Sequence, residues 1–301
     1  MDMGRLALLL VALAACGPAS SDPKRADPKP VAVPTAGTFS KDAYDAHIAA
    51  LRKRLVANNV LSMQIRIEDP FVVLGNGTAE SLERNAQTVR WAAAMLEQDF
   101  FAKRPDKILD VYLFEDARSY ENSVRALTGE SPTTPYGFYS SKDTGLFMNI
   151  ATGGGTLVHE LVHPYVEADF PNAPPWLNEG LGSLFEQTGE RAGHIAGSTN
   201  WRLAGLQEAL ADGGVPTFKA LTHLGDNEFY GKGSGTHYAQ ARYLLYYLQE
   251  KGLLREFYRK ARAARAKDPS GYQTLVDVLG ETDMTAFQAR WAAFVVALEF
   301  P

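Results

Sequence analysis

The spacing of apolar and polar residues predicts strands mixed with helices in the first half of the chain. Helical periodicity predicts three helices here, at 41–58 with Ser40 as a possible N-cap, at 78–103 and at 116–127. Short alternating or apolar runs predict four strands, at 63–67, 108–114, 136–140 and 145–150.

After Gly153-Gly154-Gly155 the pattern is almost wholly helical. It predicts helices at 201–211, 238–250, 253–266, 272–279 and 284–298. The expected fold class is therefore α+β, with a small N-terminal mixed sheet and its helices followed by a mainly helical C-terminal half.

The first residues have the pattern of a secretion signal. Arg5 precedes ten apolar residues, a run too short to span a bilayer as a helix. The run ends in Leu13-Ala14-Ala15-Cys16, which resembles the bacterial lipobox and implies that residues 1–15 are removed and that Cys16 is lipidated. The alternative is a buried N-terminal helix in which Cys16 is a small apolar residue.

Residues 16–38 indicate a tether between the lipidated cysteine and a folded body. The stretch is polar and buries little, and it contains five prolines: Pro18, Pro23, Pro28, Pro30 and Pro34. We expect an N-terminal α+β part at 39–150 and a helical part at 151–301, or one domain over 39–301.

Composition and charge exclude several classes of protein. The chain is 46% hydrophobic and 22% charged, as is ordinary for a globular protein. Thirty Lys and Arg stand against thirty-five Asp and Glu, so a nucleic-acid partner is not expected. Because Cys16 is the single cysteine, neither an internal disulfide nor a cysteine-based metal cage is possible.

The chemistry is concentrated in His159-Glu160-Leu161-Val162-His163. On a helix, both histidines and Glu160 share a polar face, with the two imidazoles one turn apart. This spacing allows both rings to bind one zinc ion, with Glu160 suited to act as general base on a water. The alternative is a pair of surface histidines on an amphipathic helix.

Another motif follows at 174–181, Pro-Pro-Trp-Leu-Asn-Glu-Gly-Leu. Pro175 suits the first turn of a helix. Glu179, Ser183 and Glu186 share one face of that helix, opposite an apolar face. A carboxylate from this helix could thus meet the histidines of the preceding one.

Together the two motifs resemble the gluzincin metallopeptidases, and the run at 174–181 is most similar to their peptidase MA-like branch. The resemblance implies a thermolysin-like catalytic core, Zn²⁺ bound by His159, His163 and Glu179, Glu160 as catalytic base, and a peptide or protein substrate. Glu186 is the alternative third ligand, but it lies about 10 Å along the helix from Glu179, so both cannot bind one ion.

Two features depart from the family pattern. Fifteen residues separate His163 from Glu179, fewer than in the aminopeptidase N type, so the connection must be compact. Pro164 follows His163 directly, so we expect the helix to kink there or to end just after His163.

Further site residues are expected from the same resemblance. His237 or Tyr238, at the start of a predicted helix, would stabilise the oxyanion, with Tyr230 as a weaker option. The alternative is a core histidine and a packing tyrosine. The strand at 145–150 corresponds to the edge strand that pairs with the substrate backbone in gluzincins, or it is a plain structural strand.

The leading hypothesis is a lipid-anchored zinc metallopeptidase of the bacterial cell envelope. Gly17 after the cysteine favours the outer membrane over the inner one. The rival is a non-catalytic zinc-binding or scaffold lipoprotein with the same fold, against which the intact Glu160 argues. A solute-binding lipoprotein is a weaker alternative, because the chain lacks two similar α/β halves.

Overall fold

The computed structural model describes residues 39–300. The predictions for the signal peptide, for Cys16 and for the tether therefore lie outside the described residues. Within residues 39–300, no helix has both the length and the apolar character needed to cross a bilayer.

The N-terminal half alternates helices with short strands, as the pattern predicts. Ser40, Thr78 and Asp116 cap the first three helices, each accepting a hydrogen bond from a first-turn backbone N–H. The elements are α1 (Lys41–Ala57), β1 (Gln64–Glu68), β2 (Phe71–Gly75), α2 (Ala79–Asp99), β3 (Leu109–Phe114), α3 (Ala117–Thr128), β4 (Gly137–Ser140) and β5 (Gly145–Asn149).

The five strands form one mixed sheet in the order β1-β2-β3-β5-β4. Strands β2, β3 and β5 are parallel, while β1 and β4 are antiparallel to their neighbours and lie at the two edges. The expectation that the strand at 145–150 is the edge strand was wrong. Because β5 pairs with β3 on one side and β4 on the other, its backbone has no free edge for a further strand.

Strand β2 was not predicted. All five of its residues are buried, and the run Phe-Val-Val-Leu-Gly has no polar alternation. A continuous apolar run is typical of a parallel strand covered on both faces. Here α1 and α3 cover one face of the sheet, while α2 and the helical half cover the other.

The C-terminal half is mainly helical, but two strands were missed. Strands β6 (Thr188–Arg191) and β7 (His194–Gly197) form a hairpin around Ala192 and Gly193, which both have positive φ. The helices are α4 (Gly155–Asp169), α5 (Pro175–Leu184), α6 (Arg202–Ala211), α7 (Phe218–Thr222), α8 (Asp226–Phe229), α9 (Ser234–Glu250), α10 (Leu254–Ala264), α11 (Tyr272–Leu279) and α12 (Met284–Val296).

The α+β class, with a mixed sheet first and helices later, is confirmed. Helix α5 packs between α4 and α9 in the helical half, and α4 also packs against β4. This arrangement places both sequence motifs near β4, at one edge of the sheet.

Pro164 does not end the motif helix, which continues to Asp169. Proline has no N–H, so the carbonyl of Glu160 loses its usual helical donor at this turn. Pro164 itself is buried, as are Tyr165 and Val166 after it. Their packing keeps the following turn in place despite the missing hydrogen bond.

Candidate metal centre

Helix α4 presents both faces that its periodicity predicts. Leu157, Val158, Leu161 and Val162 belong to the core. His159, Glu160 and His163 line an open cleft, although each is largely buried. The helix therefore anchors the site through one face and exposes its polar groups at the cleft floor through the other.

Helix α5 supplies the carboxylate that meets the two histidines. Oε2 of Glu179 lies 3.2 Å from Nε2 of His159 and 3.9 Å from Nε2 of His163. A carboxylate oxygen of Glu160 lies 3.7 Å from the same nitrogen of His163. Two ring nitrogens and one carboxylate oxygen from His159, His163 and Glu179 all lie within 4.8 Å of one another.

Two glycines of α5 permit this close approach. A Cβ on Gly182 would lie 2.9 Å from Nε2 of His159, inside contact distance of the ring. On another side of α5, a Cβ on Gly180 would lie 3.0 Å from Leu245 of α9. Helix α5 can therefore lie tightly between α4 and α9 because both positions lack a side chain.

Each histidine has a neighbour at its other ring nitrogen. Nδ1 of His163 lies 3.0 Å from Oδ1 of Asn178, which can only accept a hydrogen bond there. This contact orients the ring of His163, whose other nitrogen, Nε2, lies toward Glu160 and Glu179. Nδ1 of His159 lies 3.2 Å from Oε1 of Glu186, although its N–H does not point at that oxygen well enough for a hydrogen bond.

Glu186 is itself held by residues beyond α5. Arg202 donates two hydrogen bonds to its carboxylate, at 2.8 and 2.6 Å, and Asn200 donates a third at 2.9 Å. Burial alone would raise the pKa of Glu186, but Arg202 and His159 lower it to about 2. Glu186 is thus an anionic support for His159, whereas Glu179 is the carboxylate that joins both histidines.

Neighbouring charges strongly shift the pKa values of His159 and Glu179. Burial by itself would lower the pKa of His159, but Glu179 and Glu186 outweigh burial and raise it to about 10. Burial would raise the pKa of Glu179, but the two histidines and the Tyr230 hydroxyl lower it to about 2. In the metal-free protein, a proton on His159 thus balances part of the negative charge.

The donor set fits a metal ion. Two imidazoles and one carboxylate are a common zinc set, in which each ligand atom lies about 2.0–2.2 Å from the ion. Asn178 and Glu186 lie at the Nδ1 atoms, as partners of metal-binding histidines usually do. The group His159, His163 and Glu179 could therefore hold a metal ion.

The cluster lies in a cleft of about 1400 Å³. Edge strand β4 and the loop before it line the cleft, as do the glycine turn at 153–155 and residues Trp201 and Arg202. Trp201 and Tyr136 are more than half exposed. The cleft is thus large enough for several residues of an extended chain beside the outer edge of β4, which pairs with no other strand in the described part of the chain.

Tyr230, Tyr238 and His237, the three residues expected to stabilise an oxyanion, differ in their position relative to the cleft. Tyr230 donates a 2.7 Å hydrogen bond to Oε1 of Glu179. Tyr238 also lines the cleft, and burial followed by the negative charge of Glu179 raises its pKa. His237 is not among the residues that line the cleft, and its Nδ1 lies 3.0 Å from the backbone carbonyl oxygen of Phe229. The two tyrosines are therefore at the site, and His237 is beside it.

Part of the supporting structure was not predicted from the sequence. Asn178 had a signal, because it immediately precedes Glu179 in the motif at 174–181. Arg202 and Asn200 had none, since they lie sixteen and fourteen residues after Glu186 and reach it across the β6–β7 hairpin. Trp176 of the same motif is fully buried and donates to the carbonyl of Ser270, so its role is packing.

Comparisons with known proteins add no assignment. No protein-family model matches the chain, and no curated protein sequence is similar to it.

Proposed function

We propose that this protein is a zinc-dependent peptidase of the gluzincin type. One observation carries the proposal: ligand atoms of His159, His163 and Glu179 lie within 4.8 Å of one another in an open cleft, with the Glu160 carboxylate beside them. A purely structural metal site would need neither a further carboxylate beside the ligands nor an open cleft.

The substrate would lie along edge strand β4. Its backbone N–H and C=O groups on the outer side have no strand partner within residues 39–300, so an extended peptide could add to the sheet there. Strand β4 would thus take the role that was expected of residues 145–150.

A zinc ion at the site would supply Lewis acidity, lowering the pKa of a water and polarising the scissile carbonyl. Glu160 would take the proton from the attacking water and pass it to the leaving amine. The hydroxyl of Tyr238, or that of Tyr230 after exchanging Glu179 for the substrate as acceptor, would donate a hydrogen bond to the developing oxyanion. Asn178 and Glu186 would keep the two imidazoles oriented.

The protein would also be attached to a membrane. A lipid on Cys16 would anchor the protein in the bacterial cell envelope, and the segment 16–38 would separate the folded body from the membrane. The outer membrane is favoured by Gly17. Globomycin treatment of expressing cells, with Cys16→Ser as control, tests this part, because only a lipidated precursor accumulates unprocessed under the inhibitor.

The activity is tested by metal analysis of the purified protein together with digestion of a peptide library. We expect about one zinc per chain in the wild type and in Glu160→Gln, with cleavage only by the wild type. Zinc without cleavage in either protein would favour the alternative, a non-catalytic zinc-binding or scaffold lipoprotein. Absence of bound zinc would contradict both.

A further inference from the structure

Glu167 is an exposed carboxylate in the same cleft that the proposed chemistry does not use. It lies on α4, four residues after His163, and therefore one turn further along the same face of the helix. A rise of 1.5 Å per residue places it about 6 Å along the helix axis from His163. This corresponds to about two residues of an extended peptide.

Both carboxylate oxygens of Glu167 are held in place. The Tyr139 hydroxyl donates to Oε2 at 2.7 Å, and the Ser141 hydroxyl donates to Oε1 at 2.7 Å. Tyr139 belongs to β4, and Ser141 follows that strand directly. An exposed glutamate is normally free to change rotamer, but this one is fixed against the edge strand that the substrate would pair with.

The negative charge of Glu167 is not neutralised by the protein. Across residues 39–300 its polar partners are the two hydroxyls, and no lysine or arginine there forms an ion pair with it. Lys142, which directly follows Ser141, lies 3.7 Å from Glu130 instead. Two hydroxyl donors also leave free acceptor positions on a carboxylate, which has about four.

We propose that Glu167 is a specificity residue that binds a cationic group of the peptide, within about two residues of the scissile bond. The inference rests on the proposed peptide substrate. The cation is the ammonium or guanidinium group of a lysine or arginine side chain, or the free N-terminal amine. Such a group would complete the hydrogen bonding of Glu167 and neutralise its charge.

Binding can be separated from cleavage in the Glu160→Gln background. The probes are N-acetylated peptides in which one lysine is moved through successive positions, the same peptides with norleucine instead, and a norleucine peptide with a free N-terminus. Isothermal titration calorimetry measures each Kd for Glu160→Gln and for Glu160→Gln/Glu167→Gln. Glu190→Gln, an exposed glutamate of β6 outside the cleft, is the matched control.

We expect one cationic peptide to bind about tenfold more tightly than its norleucine counterpart, and Glu167→Gln to abolish this preference while leaving the norleucine peptide unchanged. The lysine and free-amine probes identify which cation is bound. Equal binding of cationic and neutral peptides, or a preference that survives Glu167→Gln, would overturn the proposal.

A purely structural role for Glu167 would have a different signature. If Glu167 only ties α4 to β4, Glu167→Gln will weaken every peptide equally and lower Tm, and this too overturns the proposal. A wild-type protein that binds the cationic peptide but cleaves none would contradict the peptidase function and leave the binding role of Glu167 intact.

Discussion

Glu186 lies beside Nδ1 of His159, whereas Glu179 lies beside the other ring nitrogen, Nε2. Oε1 of Glu186 lies 3.2 Å from Nδ1, while Oε2 of Glu179 lies 3.2 Å from Nε2. The imidazole thus lies between two carboxylates, one within α5 and one just after it. Arg202 keeps the Glu186 carboxylate in position through two hydrogen bonds.

Removing the charge of Glu186 should weaken metal binding without removing a ligand. Glu186→Gln keeps the shape of the side chain but loses the anion beside His159, and we expect zinc affinity to fall about 10–100-fold. Competition with a chromophoric chelator measures the Kd. Glu190→Gln serves as the control, and an unchanged Kd in Glu186→Gln would show that the carboxylate does not orient the ring.

Zinc binding should release a proton. Because the pKa of His159 is about 10 in the metal-free protein, its imidazole is protonated at pH 7 and must lose that proton to bind a metal. Below this pKa, zinc affinity should rise about tenfold per pH unit as pH increases. Calorimetry in buffers of different ionisation enthalpy counts the protons, and a count of zero at about pH 7 would contradict a charged His159.

A single methyl group on α5 should disturb the site. The new Cβ in Gly182→Ala would lie 2.9 Å from Nε2 of His159, so the ring must shift, and we expect zinc affinity to fall at least about tenfold. Gly205→Ala in α6 is the matched control, because among residues 39–300 its Cβ would meet no atom outside its own helix backbone within 4 Å.

Gly205→Ala and Gly182→Ala should change the free energy of unfolding in opposite directions. Gly205→Ala should raise the free energy of unfolding by about 0.5–1 kcal/mol, since it removes glycine from a helix interior. Gly182→Ala should lower it by about 1–3 kcal/mol through overpacking. Urea denaturation of the metal-free proteins gives both values. Identical behaviour of the two variants would mean that α5 can move away from His159 freely.

The oxyanion donor should be a tyrosine. Tyr230→Phe and Tyr238→Phe each remove a hydroxyl at the cleft, and we expect the variant that loses the donor to show kcat reduced about 10²–10³-fold with KM little changed. His237→Gln should leave kcat unchanged, because His237 does not line the cleft. Steady-state kinetics on one cleaved peptide distinguish these outcomes, and the reverse pattern would restore His237 as the donor.

The sequence alone determined the parts of the site that depend on local geometry. Helical periodicity places His159, Glu160 and His163 on one face of α4, whatever that helix packs against. It likewise places Glu179 on the polar face of α5. The same periodicity was enough to predict most helices and the α+β class. It failed for β2, whose uninterrupted apolar run has no period, and for the four-residue strands of the hairpin.

Only the tertiary structure decided which strand is the edge and which side chains support the metal ligands. Strand order depends on pairing between distant segments. A local pattern therefore does not show that β4, and not β5, is the edge strand of the sheet. The contacts of Arg202 with Glu186 and of Tyr230 with Glu179 join segments sixteen and fifty-one residues apart. These contacts form because α5 packs between α4 and α9. That packing brings residues that are distant in sequence together at the metal-binding group.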